Sequence, residues 1–201
     1  MDQETSGPAA PRHSGIRIDV PAWVDEFAAA RVPAPTADDG ARMRFVIAAA
    51  RENIERDSGG PFAAAIFERD SGQLVSLGVN LVTTLGSSIL HGEVVAILRA
   101  QERVRSFTLA APGLPEHELV TSCEPCAMCL GAVLWSGARR LVCGATREDA
   151  QSIAFEEGPV FPESYAYIER LGIEVVRGVA RAEGREVLEL YARRGGPIYN
   201  P

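Results

Sequence analysis

The chain has 201 residues, 46% of them hydrophobic types, and carries 27 acidic against 20 basic side chains for a formal net charge of −7. This length and composition describe one compact water-soluble domain plus a tail, large enough to fold without disulfide staples, and a second full domain is not expected. No apolar run approaches the roughly 20 residues that span a bilayer, and the acidic balance argues against a nucleic-acid partner, which draws on clustered Lys and Arg.

In chain order, residues 1–35 carry many of the prolines and little periodicity beyond the Ile16, Ile18, Val20 alternation, and read as an N-terminal arm that packs along the surface. The main domain is expected over 36–201. Thr36 is a plausible N-cap for a helix to about Arg56, with apolar residues at Met43, Val46, Ile47, Ala50 and Ile54 and a stop at Gly59-Gly60. Phe62–Phe67 and Leu74–Val82 read as a hairpin turning at Asp70-Ser71-Gly72. Helical spacing returns from His91 to about Arg105, which places His91 at a helix start. A short strand at Glu118–Thr121 follows, then a helix opened by the cysteine segment and running through Leu134, then a strand at Arg140–Gly144. Helices around Pro162–Leu171 and Ala182–Arg193 flank a strand at Ile173–Val179. Strands alternating with helices predict an α/β sandwich of two or three layers.

Four cysteines are present, and Cys123, Cys126 and Cys129 fall at three-residue intervals, which suits a metal better than a disulfide framework. Met1–Ser14 is polar and lacks the apolar centre of a secretory peptide, so a reducing cytoplasm is expected. Cys126 and Cys129, one helical turn apart, can grip one ion through two thiolates that the helix N-terminus stabilises. With His91 as third ligand one tetrahedral position stays open, the arrangement of a catalytic Zn²⁺ that acidifies water to a pKa of about 7. Glu93, two residues after His91, is placed to flank that position and carry protons without binding the ion.

The bland readings differ in strength. Pro125-Cys126-Ala127-Met128-Cys129 alone could be half of a structural zinc ribbon, but that needs a second cysteine pair, and only Cys123 and Cys143 remain. His-x-Glu alone carries nothing. Of the other histidines, His13 lies in the arm and His117 in a Pro-containing loop, both expected in solvent.

Together, His91-Gly92-Glu93 and Pro125-Cys126-Ala127-Met128-Cys129 resemble the H-x-E and P-C-x-x-C signature of zinc deaminases. From about Arg42 to the C-terminus the chain resembles the cytidine deaminase-like superfamily. That resemblance implies a three-layer α/β/α sandwich around a central five-stranded mixed sheet, and a homodimer or higher oligomer. Histidine in the first ligand position is similar to the guanine, cytosine, tRNA adenosine and deoxycytidylate branches. The nearest likeness is to bacterial guanine deaminases and their s-triazine-deaminating relatives, through Gly60-Pro61-Phe62-Ala63-Ala64-Ala65, Cys129 through Trp135-Ser136-Gly137, Phe155-Glu156-Glu157-Gly158-Pro159 and Ile198-Tyr199-Asn200.

The resemblance implies hydrolytic deamination of a small heterocyclic base. Asn80 would hydrogen-bond the base, Phe62 would stack on it, Trp135 would line the pocket, and Glu157 would contact the base and assist proton movement. Against these stand a core role for Phe62 and Trp135, a strand-end cap for Asn80 and a solvated turn for Glu157. Gly92, where most relatives have alanine, is expected to border the base and to widen or retune the pocket toward a smaller or triazine ring. The competing readings are a tRNA adenosine deaminase, which shares the metal set, and a non-catalytic zinc-binding subunit, which the presence of Glu93 disfavours.

Overall fold

The computed structural model describes residues 18–200. Its elements run α1 (Trp23–Arg31), α2 (Asp39–Glu55), β1 (Ala63–Glu68), β2 (Leu74–Val79), α3 (Val82–Leu85), α4 (Gly92–Val104), β3 (His117–Cys123), α5 (Ala127–Ser136), β4 (Arg140–Ala145), α6 (Arg147–Gln151), α7 (Pro162–Arg170), β5 (Glu174–Val176) and α8 (Arg181–Arg193). One five-stranded sheet has the order β2-β1-β3-β4-β5. β1 pairs antiparallel with β2 and β3, while β3, β4 and β5 are parallel, so the sheet is mixed. The two parallel steps need crossovers, and α5 and α7 supply them.

Three layers follow from the alternation of side chains along each strand. Ala63, Ala65 and Phe67 of β1, with Val120 and Val142, meet Phe27, Met43, Val46 and Leu188 of α1, α2 and α8. Ala64 and Ile66, with Leu119 and Leu141, meet Ala96, Ile97, Leu130, Val133 and Ile168 of α4, α5 and α7. The expected three-layer sandwich around a five-stranded mixed sheet is the observed fold. Because both faces are covered, β1 reads as a continuous apolar run. Ala64 of β1, and Gly78 paired with it on β2, let α4 ride close. A methyl group at 78 would lie 2.3 Å from the Ala96 nitrogen and 2.4 Å from the Gly92 carbonyl oxygen.

Several boundaries differ from the sequence reading. The arm expected over 1–35 contains α1, whose Trp23, Val24 and Phe27 are buried in the core; His13 and Ile16 lie outside the described residues. α1 has nine residues, too few to show a repeating apolar stripe in sequence. α2 is capped by Asp38, whose side chain accepts from the Ala41 N–H at 2.8 Å, rather than by Thr36. The second hairpin strand stops at Val79 instead of Val82. There the Asn80 side-chain oxygen accepts from the Val82 N–H at 3.2 Å and turns the chain into α3. The strand read at 173–179 keeps only its first part, as β5 at the sheet edge. His117 is not solvated: it opens β3, is 1% exposed, and its Nδ1 lies 2.9 Å from the Leu109 carbonyl oxygen. A strand between two neighbours takes it inside, which the prolines nearby in sequence concealed.

At the edge of the sheet opposite the site described below, buried Glu118 of β3 accepts from both Arg42 and Arg140. Arg140 also reaches Asp39 and Glu174. On the site's side, α6 is fixed by a capping box in which Thr146 and Asp149 bond each other, and Arg181 of α8 donates twice to Asp149. The Arg181 bonds, opposed by burial and helped by Thr146, hold the Asp149 carboxyl down at about 2. A folded-state pKa below the unfolded value gives stability that is present above about pH 4 and lost as pH falls toward 2. Asp149→Asn is therefore expected to lower unfolding free energy by about 1 to 2 kcal/mol at neutral pH, Arg181 being half exposed. Urea titrations at pH 7, 4 and 2.5 should show that difference shrinking with acidity.

Candidate active site

The N-terminal end of β1 and the C-terminal ends of β2 and β3 share one edge of the sheet, and the side chains of interest gather there. His91 is the N-cap of α4 and Cys126 the N-cap of α5, both in extended conformation, with Cys129 one turn into α5. Two helix N-termini thus point at one spot, and their partial positive charge favours thiolate. The ligand atoms of His91, Cys126 and Cys129 all lie within 4.8 Å of one another, with the Cys126 sulfur 3.6 Å from His91 Nδ1. Among the described residues this is the one His, Cys and acidic grouping with metal-ligand spacing.

The local electrostatics suit a cation. The Cys129 thiol hydrogen-bonds the Cys126 sulfur and, with help from His91 and against burial, draws Cys126 down to about 4. The same bond, with burial, pushes Cys129 up. Burial works to lower His91, but the Cys126 sulfur and the nearby acids win and raise it. Two sulfurs and an imidazole, desolvated and already converged, fit tetrahedral zinc with its fourth position open.

Glu93 follows in the first turn of α4, buried, with the Thr121 hydroxyl donating to its Oε1 at 3.2 Å. Burial, then the Cys126 sulfur, raises its carboxyl above the ordinary range. It stands outside the ligand group.

Beside the triad opens a cavity of about 350 Å³ whose walls include Phe62, Glu93, Phe155, Glu157, Tyr199 and Met128. Phe62 packs edge-on against Phe155 at 5.0 Å, and Phe155 against Tyr199 at 4.9 Å, so three aromatic rings form an apolar slot. Glu157 is only 7% exposed. Burial, then the Cys126 and Glu93 charges, pushes its carboxyl up to about 8, with His91 and Arg147 pulling the other way. Its backbone carbonyl accepts from the Ala127 N–H at 3.0 Å, which ties its loop to the cysteine helix.

The remaining expectations divide. Asn80 is fully buried at the end of β2, its carbonyl bonded by Asn53 at 2.9 Å and its Nδ2 without a partner. Tyr199 Oη, also unpartnered, sits where a methyl on Gly60 would be, and Asn80 Oδ1 lies 3.1 Å from the same point. Gly92 does not open the pocket. A methyl there would meet the Ala63 Cα at 3.0 Å, so its small size serves the packing of α4 on β1. Trp135 does not line the cavity either. It is 82% exposed, two turns beyond Cys129, while Leu130 and Val133 take the inward face of α5.

Sequence reasoning missed Thr121, Glu124, Phe155 as a ring in the wall, and the seat of Tyr199. Asn200 fixes that tail, accepting from the Glu156 N–H at 2.9 Å and donating to the Ala154 carbonyl at 2.7 Å. The Tyr-Asn ending was visible in the sequence, but nothing local shows that it returns to a site formed far earlier in the chain.

Comparison with known proteins agrees with this geometry. The model of the cytidine and deoxycytidylate deaminase zinc-binding region matches residues 36–145. Guanine deaminase of Bacillus subtilis is 34% identical over 121 residues, covering 60% of this chain and 73% of that protein. The structure of guanine deaminase from Nitrosomonas europaea superposes with a TM-score of 0.83 at 41% identity, over 89% of this chain and 97% of that one. NE0047 in complex with 2,6-diaminopurine gives 0.84 at 43% identity, over 92% and 96%. Converging helix starts, the open metal triad and a buried glutamate beside it are the working parts of a zinc-dependent hydrolytic deaminase, and the chain belongs to the cytidine and deoxycytidylate deaminase family.

Proposed function

We propose that the protein hydrolyses the exocyclic amino group of a free purine-type base, guanine first, releasing ammonia. The observation that carries this reading is the pair of buried carboxyls, Glu93 and Glu157, on one aromatic-walled cavity of about 350 Å³ beside the metal triad. That volume stands at the small end of ligand pockets and suits a single heterocycle. Ring-stacking surfaces come from Phe62 and Phe155. The unpartnered Asn80 Nδ2 offers a buried donor to a ring acceptor. A carboxylate oxygen of Glu157 accepts from the N1–H and amino donors that guanine presents. The guanine deaminases of Bacillus subtilis and Nitrosomonas europaea, and NE0047 with its bound 2,6-diaminopurine, support the same class.

Hydrolysis replaces the C–NH₂ bond with a C=O bond, water supplying the oxygen and ammonia leaving. Zinc held by His91, Cys126 and Cys129 would supply a water-derived nucleophile at neutral pH and offset developing negative charge. Glu93 takes the water's proton and passes it to the ring nitrogen, and a second transfer completes the leaving ammonia. Thr121 orients it. Glu157, whose carboxyl is raised by burial and by the Cys126 and Glu93 charges, serves as the second proton relay, accepting from the base when ionised and donating when protonated.

A tRNA substrate is disfavoured. The tail bearing Tyr199 and Asn200 closes over the cavity, and the basic cluster at Arg193-Arg194 is partly neutralised, Arg194 pairing with Asp57 at 3.0 Å. Among the described residues no helix is long and apolar enough to cross a membrane, and four free cysteines suit a reducing cytoplasm. A homodimer is the favoured assembly, through the exposed apolar side chains Leu98 of α4 and Met128 and Trp135 of α5.

Ammonia release from guanine, 2,6-diaminopurine, ammeline, cytosine and 5-azacytosine tests the activity, with turnover expected on guanine and none on any base overturning the reading. Glu93→Ala should reduce kcat by at least about 100-fold with zinc content unchanged by elemental analysis, whereas Cys126→Ala should lose the ion itself. Glu157→Gln should lower kcat by about 100-fold with bound 8-azaguanine still detectable by calorimetry. Trp135→Glu should shift the sedimenting species from dimer to monomer.

A further inference from the structure

The residues 155–160 carry Glu157 into the cavity, yet their own backbone makes few bonds within the loop: Gly158 N–H to the Glu156 carboxylate at 3.0 Å and Val160 N–H to the Gly158 carbonyl at 2.9 Å. What anchors the loop comes from elsewhere in the chain. Arg147, the first residue of α6, is outside the cavity wall and donates through Nη1 to the Val160 carbonyl. Its backbone N–H donates to Glu124 Oε2 at 3.1 Å. Glu124 is 4% exposed and immediately precedes Pro125 and the ligand Cys126; its other oxygen accepts from Arg177, and its own N–H donates to the Ala145 carbonyl at 2.8 Å. One residue therefore bridges the support of the metal-binding helix and the far end of the Glu157 loop. The near end is joined to the same helix by the Ala127 to Glu157 backbone bond.

We propose that Arg147 is a positioning residue that clamps the Glu157 loop to the start of the cysteine helix, so that the second carboxyl is held at the cavity in fixed relation to the metal ligands. The inference rests on the deaminase reading of the site, although the clamp itself has a test that does not. The Arg147 guanidinium reaches the Val160 carbonyl through Nη1 alone, its Nε buried without a partner, and its long planar head fixes where that one donor sits more tightly than a lysine ammonium does. α6 is in turn immobilised by the Thr146 and Asp149 capping box and by Arg181. The clamp thus has a rigid base. A displacement of about 1 Å in a group that transfers protons costs on the order of 100-fold in rate, so a loop with few internal bonds needs such an external hold.

The experiment compares Arg147→Met and Arg147→Lys with the wild type in zinc-loaded protein. Hydrogen exchange followed by mass spectrometry should show the peptide spanning 155–160 exchanging about tenfold faster or more in Arg147→Met, with Arg147→Lys between it and the wild type. Unchanged exchange in that peptide overturns the clamp. In turnover, Arg147→Met should lower kcat by about tenfold or more while KM moves by less than about threefold. In a Glu157→Gln background the same substitution should add less than about a twofold further loss, because two residues acting through one loop are not additive. Multiplying losses would show Arg147 acting independently of Glu157 and would also overturn the proposal. Should Arg147→Met fail to fold, Arg147→Lys carries both arms, since it keeps the charge and changes the reach and geometry of the donor. A wild type inactive on every base refutes the deaminase reading, and the exchange comparison then decides the clamp alone.

Discussion

Two helices begin at one edge of a sheet, and everything catalytic depends on how near those beginnings come. α4 and α5 each open with an extended residue carrying a metal-binding atom, and the ligand atoms meet within 4.8 Å only because the layers are thin where they meet. Ala64 and the Gly78 paired with it keep the strand surface under α4 low, and Gly92 answers from the helix side against the Ala63 backbone. Close packing of backbone on backbone sets the position of His91, and with it that of Glu93 two residues on. The same packing buries the site, which raises the Glu93 carboxyl above its ordinary range and the Glu157 carboxyl to about 8.

Much of this was legible in sequence because it is local. His91, Cys126 and Cys129, whose side chains converge, and the buried Glu93 beside them occupy two short fragments, and the approach of residues one helical turn apart is a property of the helix itself. The alternation of strands with helices along the chain showed a layered α/β fold, although three layers rather than two came from family resemblance. What stayed hidden was long-range. Thr121 faces Glu93 only once β3 lies beside β1, and Arg147 reaches Val160 only after α6 and α7 have packed. Trp23, Val24 and Phe27 read as part of an arm, since nine residues show too little of a stripe. Gly92 and Trp135 were near the right motifs but point elsewhere, one into the strand backbone and the other to solvent. Proximity in sequence to a ligand fixes a residue's height on the helix and says nothing of its azimuth without the neighbouring layer.

The cavity is built by parts with different degrees of freedom. Its floor and metal wall belong to regular elements, while Phe155, Glu157 and Tyr199 come from irregular segments stitched by backbone bonds. The aromatic chain from Phe62 through Phe155 to Tyr199 joins the two kinds of wall, so the segments rest on the core through ring contacts rather than through the strand ladder. The metal wall is thus held by regular elements, and the Glu157 and Tyr199 segments by individual bonds and ring contacts.

The Glu118, Arg42 and Arg140 cluster lies at the far rim of the same sheet from the reacting end. The rim with Glu118 carries bracing charges alone, whereas the rim at the cavity carries the carboxyls beside the metal triad together with the Asp149–Arg181 and Glu124–Arg177 pairs that brace α6 and the start of the cysteine helix. Adaptation to heat therefore has a rim of its own to work on, while a change of ring at the other rim has to preserve ion pairs that carry stability as well.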